Sequence, residues 1–267
     1  MSDNKFTIIL KGDEADASLR LGDLIAQLDA LKLILNHLDK RISGRKSPGL
    51  YYRVTNLSMN SPTTIEMEAV AKDQENNYGN AVVNRLGRDL QDVIANRRPA
   101  EADLDLMEAY KGLVSPMKRH LAEFIFQSDN GEIAIPKTLD ARVDAILGPD
   151  QMEFGSIVGS LEVIDVHQQK NLFKIYPMVG ASSIKCHFQN DLLPKALSGL
   201  GSFVRISGEL HCKKSEKYPH FMQVHALEIL PEYSGAPLLS SLRGMARQAF
   251  GGLPAEEYVE RVRNESW

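Results

Sequence analysis

Apolar and polar positions change period several times along the chain. Over 6–11, Phe6, Ile8 and Leu10 alternate with other residues, the two-residue repeat of a strand with one buried face. After the polar turn Gly12-Asp13-Glu14, residues 17–21 predict a second short strand. The spacing then switches to threes and fours. Leu21, Leu24, Leu28, Leu31, Leu35, Leu38 and Ile42 form one stripe of a helix over 22–42, three heptads long. Gly44 and the stretch Arg45-Lys46-Ser47-Pro48-Gly49 stop it, because neither Gly nor Pro sustains a helix. Strands are expected over 50–58 and 63–71, joined through Asn60-Ser61-Pro62. In the second, Thr64, Glu66 and Glu68 alternate with Ile65, Met67 and Ala69. Helical periods over 77–96 and 102–113 follow, then a hairpin over 121–126 and 132–135 around Asn130-Gly131, and a helix over 138–147. Helices mixed with hairpins make 1–150 an α+β domain.

From residue 151 the texture becomes strands about ten residues apart. They are expected over 156–166, 171–177, 182–188, 203–212 and 221–230, with a helix over 190–200 that Asn190 caps. Strand, strand, strand, helix, strand, strand resembles the order of an OB-fold, a five-stranded barrel. The expected architecture is therefore α+β: an N-terminal α+β domain, a five-stranded OB-like β-barrel over 151–230, and a linker with a short C-terminal helical tail over 231–267.

Composition narrows the classes. With 267 residues, 43% hydrophobic and 25% charged, the chain has the profile of a globular protein of about two domains. No apolar run reaches the ~18 residues of a membrane span. The start, Met-Ser-Asp-Asn-Lys, has no apolar core of a signal peptide, and two cysteines do not make a disulfide scaffold. A cytoplasmic location is expected. Net charge is −4 over residues 1–150, +1 over 151–230 and −1 over 231–267, so any polyanion contact falls to the barrel and depends on local clustering.

Five of the seven histidines and both cysteines lie in the barrel. Cys186-His187 and His211-Cys212 do not make a metal site, since adjacent strand residues face opposite ways and the spacing lacks a zinc half-site. Cys186 and Cys212 read as small core residues, and no metal or other cofactor is expected. No nucleophile elbow, zinc-protease helix, P-loop or dinucleotide fingerprint occurs, so a non-enzymatic protein is expected. The barrel's outward positions are different. Lys174, Tyr176, Lys185, His187, Arg205 and His211 alternate away from the apolar face, and Lys213, Lys214 and Lys217 crowd one loop. Cations beside aromatic platforms suit single-stranded nucleic acid. The leucine stripe of 22–42 offers a homodimer seam, although a helix flanked by strands is expected to pack on its own sheet.

The tail carries Arg243-Gly244, then Phe250-Gly251-Gly252-Leu253, then Glu256-Glu257-Tyr258-Val259-Glu260-Arg261-Val262-Arg263, and ends at Trp267. A helix of about ten residues is marginal alone, and aromatic anchors on a tethered segment suit folding on a partner. This tail resembles the C-terminal segment of type II antitoxins that partner PIN-domain ribonuclease toxins. That resemblance implies a protein partner, a PIN-domain toxin, held through Arg243, Leu253, Tyr258, Val259, Arg261, Val262, Arg263 and Trp267, with Arg261 or Arg263 at the toxin's acidic site. Upstream, the Ser61-Pro62 turn and the series Gly159, Leu161, His167, Phe173, Ile175, Tyr176 resemble uncharacterised bacterial proteins with such a barrel. The leading expectation is a binding protein that restrains a protein partner through its tail. The alternative is a nucleic-acid-binding barrel using Lys174, Tyr176, Lys185, His187, Arg205, Lys213, Lys214 and Lys217.

Overall fold

A computed structural model describes residues 4–14, 18–73, 77–167, 170–180, 183–231, 253 and 255–264. The chain is α+β and divides into two compact units. The first comprises residues 1–151 together with 212–217, and the second the remainder. Among the described residues no helix is long and apolar enough to cross a membrane.

The first unit is built on a five-stranded antiparallel sheet. Its strands are β1 (Lys5–Gly12), β2 (Leu50–Ser58), β3 (Thr63–Ala71), β4 (Leu121–Ser128) and β5 (Gly131–Ala134), in the order β2-β3-β1-β4-β5. The helices are α1 (Leu21–Ser43), α2 (Gly79–Ile94), α3 (Leu104–Gly112) and α4 (Leu139–Leu147). The period-2 face of β1 and β3 meets the period-3.6 faces of these helices in one core: Phe6, Ile8 and Ile65 are buried with Leu31, Leu35 and Leu86. The leucine stripe of α1 is used here. Leu31, Leu35 and Leu38 are fully buried, and Leu24 and Leu28 pack on the same core. The middle of the seam is thus filled from within its own unit, whereas its end residues Leu21 and Ile42 are exposed.

One expectation fails at the start of α1. Residues 18–20 form no strand, and the helix begins at Leu21. The alternation Ser18-Leu19-Arg20-Leu21 imitates a strand, but Leu19 packs on the core whereas Leu21 is exposed. At the other end Gly44 takes a φ of 67°, the left-handed conformation that ends helices. Within the last turns of the helix, Asp39 fastens α1 to the sheet. Its carboxylate is fully buried and accepts the Leu50 N–H at 2.8 Å and the Tyr78 hydroxyl at 2.7 Å. A second buried carboxylate, Asp89, accepts from Arg85 Nε at 2.6 Å and the Tyr110 hydroxyl at 2.9 Å.

The second unit holds β6 (Asp150–Asp165) and β9 (Phe203–Lys213), apart from residues 150, 151, 212 and 213, together with β7 (Leu172–Pro177), β8 (Ile184–Phe188) and β10 (Phe221–Ile229). They run in the order β10-β8-β7-β6-β9 and close into a barrel. Only the β8–β10 pair is parallel among the pairings described. β6 and β9 adjoin where the Leu161 N–H donates to Ser202 O at 3.0 Å and the Gly201 N–H to Leu161 O at 2.7 Å. Phe173, Ile175, Cys186, Phe188, Ile206 and Met222 fill the interior. A 3-10 turn (Asn190–Leu192) and α5 (Leu193–Ser198) join β8 to β9 and insert Ala196 into that core. Asn190 does not cap this helix: its Oδ1 accepts from Asn171 Nδ2 at 2.6 Å. Gly159 is dictated by space, because a Cβ there would lie 2.5 Å from Ile175 Cγ2 and 2.7 Å from Tyr176 O.

Helix α6 (Ala255–Asn264) closes the described chain. Leu253 and Tyr258 are half-buried, Arg261 and Arg263 are exposed, and the Arg261 guanidinium lies 5.9 Å from the centre of the Tyr258 ring. The expectations for Arg243 and Trp267, and for the side chains of Val259 and Val262, fall outside the described residues.

Candidate nucleic-acid interface

The barrel's outward face is set by strand parity and register. In β8, Ile184, Cys186 and Phe188 point inward, which leaves Lys185 and His187 outside. In β7, Phe173 and Ile175 point inward, which leaves Lys174 and Tyr176 outside. Lys174 and Lys185 are register partners across the β7–β8 pair, so their Cβ atoms are about 5 Å apart. Like charges placed directly opposite are destabilising. Among the described residues neither lysine has a carboxylate partner. An anion laid across the two strands would convert that repulsion to attraction.

The row extends beyond the lysines. Phe221 of β10 is the register neighbour of Lys185 and also of His211 on β9. The Phe221 and His211 rings meet edge-on at 5.1 Å, and His211 Nε2 lies 3.1 Å from Glu209. Along the same face, His187 Nδ1 is 3.0 Å from Gln223 Oε1. A cleft of about 430 Å³ opens there, lined by Asn171, His187, Gln189, Asn190 and Asp191 beside Phe188. Lysines, ring faces and a cleft that holds the Asp191 carboxylate among its amide and imidazole groups thus follow one another across β7, β8 and β10. The lysines neutralise phosphate, the rings stack bases, and the amide and imidazole groups hydrogen-bond base edges.

Other expected cations are engaged elsewhere. Arg205 donates to Glu228 at 3.0 Å across the β9–β10 pair. Lys213 is paired with Asp150 at 3.0 Å and is largely buried. Residues 212–217 belong to the first unit, where Arg98 binds Glu216 at 2.5 Å. Lys214 and Lys217 are exposed in that segment, and the Lys214 side chain lies beside Gly148. Phe221 and Gln223 were not among the expected residues. Apolar Phe221 precedes apolar Met222, so composition does not reveal that Phe221 faces out. The parity of Gln223 was the available signal.

The two cysteines lie on different strands. Cys186 is fully buried, its thiol bonded to Ile184 O at 3.6 Å, and burial pushes its pKa well above the usual thiol range. Cys212 is half-buried on β9. Among the described residues no three His, Cys, Asp or Glu side chains are placed to hold a metal ion. Compared with protein-family models and with curated proteins, the chain matches none.

Proposed function

We propose that the β6–β10 barrel is an OB-fold and that the protein binds single-stranded nucleic acid, without catalysis, across β7, β8 and β10. Support for the fold is the strand order itself: three consecutive antiparallel strands, a helix, and two returning strands of which the last runs parallel to the third. The observation that carries the function is the opposed Lys174–Lys185 pair, which has no carboxylate partner among the described residues. A face that merely stays soluble has no reason to hold two like charges in register, whereas a strand-binding face gains from it. Photo-crosslinking the full chain to a thymidine-rich oligonucleotide tests the placement. Crosslinked peptides should contain Tyr176 or Phe221, and crosslinks confined to the first unit would refute it.

A second reading keeps the tail as a partner-binding segment. It is motivated by α6, on which Arg263 is exposed and the Arg261 guanidinium lies 5.9 Å from the Tyr258 ring centre. The partner would be a ribonuclease with an acidic metal site. Co-expression with the product of the adjacent gene tests this: a complex lost on deleting residues 238–267 supports it, and a complex indifferent to that deletion removes it.

A further inference from the structure

The two edges of the first unit's sheet are built differently. β5 is four residues long and is followed by Pro136, the kind of short, interrupted edge that does not recruit another strand. β2 has nine residues, pairs with β3 from Leu50↔Ala71 to Ser58↔Thr64, and among the described residues has no strand on its other side. It contains no proline and no lysine, and its residues are strand formers. Val54 is 54% exposed, Leu57 53% and Tyr51 45%. Val54 and Leu57 share register with Met67 and Ile65, so they stand on the core-facing side of the sheet and yet remain uncovered. A groove of about 510 Å³ between α1 and the first residues of the strand is lined by Leu28, Leu31, Leu35, Tyr51 and Tyr52.

We propose that β2 is a homodimer interface, in which two copies of this chain pair antiparallel through β2 about a two-fold axis and join their sheets. The occupant is a second copy because the strand complements itself. With the axis at Tyr52, residue 53 of each copy faces residue 51 of the other, so Arg53 meets Tyr51 twice and Leu50 meets Val54 twice. Arg53 is the only charged residue of β2. It is already neutralised by Glu68 at 2.6 Å, so its guanidinium is free of like-charge conflict and its plane suits the facing tyrosine ring. A bulge between Val54 and Asn56 bends the strand beyond this stretch and limits the pairing to its first half.

Sedimentation velocity of the full chain tests the proposal. The expected species at micromolar concentration has twice the mass of the 29.7 kDa chain. Tyr51→Lys combined with Val54→Lys changes two exposed positions within the paired stretch, so it should give a folded monomer. A register test stands apart from that variant. In a Cys212→Ser background, Tyr51→Cys with Arg53→Cys should oxidise to a covalent dimer, because the Cβ atoms of facing strand residues approach to about 4.5 Å, the upper end of the range a disulfide spans. A wild-type chain that sediments as a monomer at 100-fold higher concentration overturns the proposal. So does a lysine variant that remains dimeric, or a double-cysteine variant that oxidises to monomers alone.

Discussion

The opposed lysines should cost the barrel stability, and the cost can be measured. Two ammonium groups held about 8 Å apart in water repel by roughly 0.5 kcal/mol. Lys185→Gln removes that repulsion, and Lys185→Glu reverses its sign, a swing of about 1 kcal/mol. Cys186 reports the barrel's opening, because it is fully buried in the interior below these strands. In a Cys212→Ser background, reaction with a thiol reagent measures the population of opened barrel. Labelling should slow about twofold in Lys185→Gln and about fivefold in Lys185→Glu at low salt. At 1 M salt, where screening acts over about 3 Å, both differences should vanish. Equal or faster labelling in both variants at low salt would mean that the lysines do not repel. The face would then not be poised for an anion.

Other outcomes follow from the buried polar groups. Asp39→Ala leaves the Leu50 N–H and the Tyr78 hydroxyl without their acceptor, so urea unfolding of the first unit should lose about 3 kcal/mol with an unchanged slope. Burial holds the Tyr52, Tyr78 and Tyr110 hydroxyls and the Cys186 thiol protonated above their ordinary ranges. Unfolded thiols ionise near pH 8.5 and tyrosines near pH 10, so the folded chain binds more protons above those values. The stability these groups contribute is complete below about pH 8.5 and is lost as pH rises through 10 and beyond, which thermal melts across that range will register.

Much of the fold could be read from periodicity where one face is buried. The stripe of α1 and the alternation of β3 gave elements whose ends lie within a residue or two of the structure, because burial imposes those periods. Legibility failed where burial was not the cause. β6 starts at Asp150, earlier than its burial pattern suggests, since residues 150–154 are all exposed. The candidate face was half legible for a related reason. Parity placed Lys174, Lys185 and His187 outside, but register decides which cations are free. Glu228 lies 23 residues from Arg205, and Asp150 lies 63 from Lys213, and no local pattern announces either pair.

The central claim is that nucleic acid crosses the Lys174–Lys185 row. The most direct measurement is fluorescence anisotropy of a labelled single-stranded oligonucleotide with the full chain, titrated at several salt concentrations. Each phosphate contact contributes a slope of about −0.7 in log affinity against log salt for single strands. Lys174→Ala with Lys185→Ala should therefore flatten the slope by about 1.4 and weaken binding, while Arg205→Ala, already paired with Glu228, should leave the slope unchanged. Wild-type chain that fails to bind at low salt, or binding whose slope ignores the double substitution, would contradict the account.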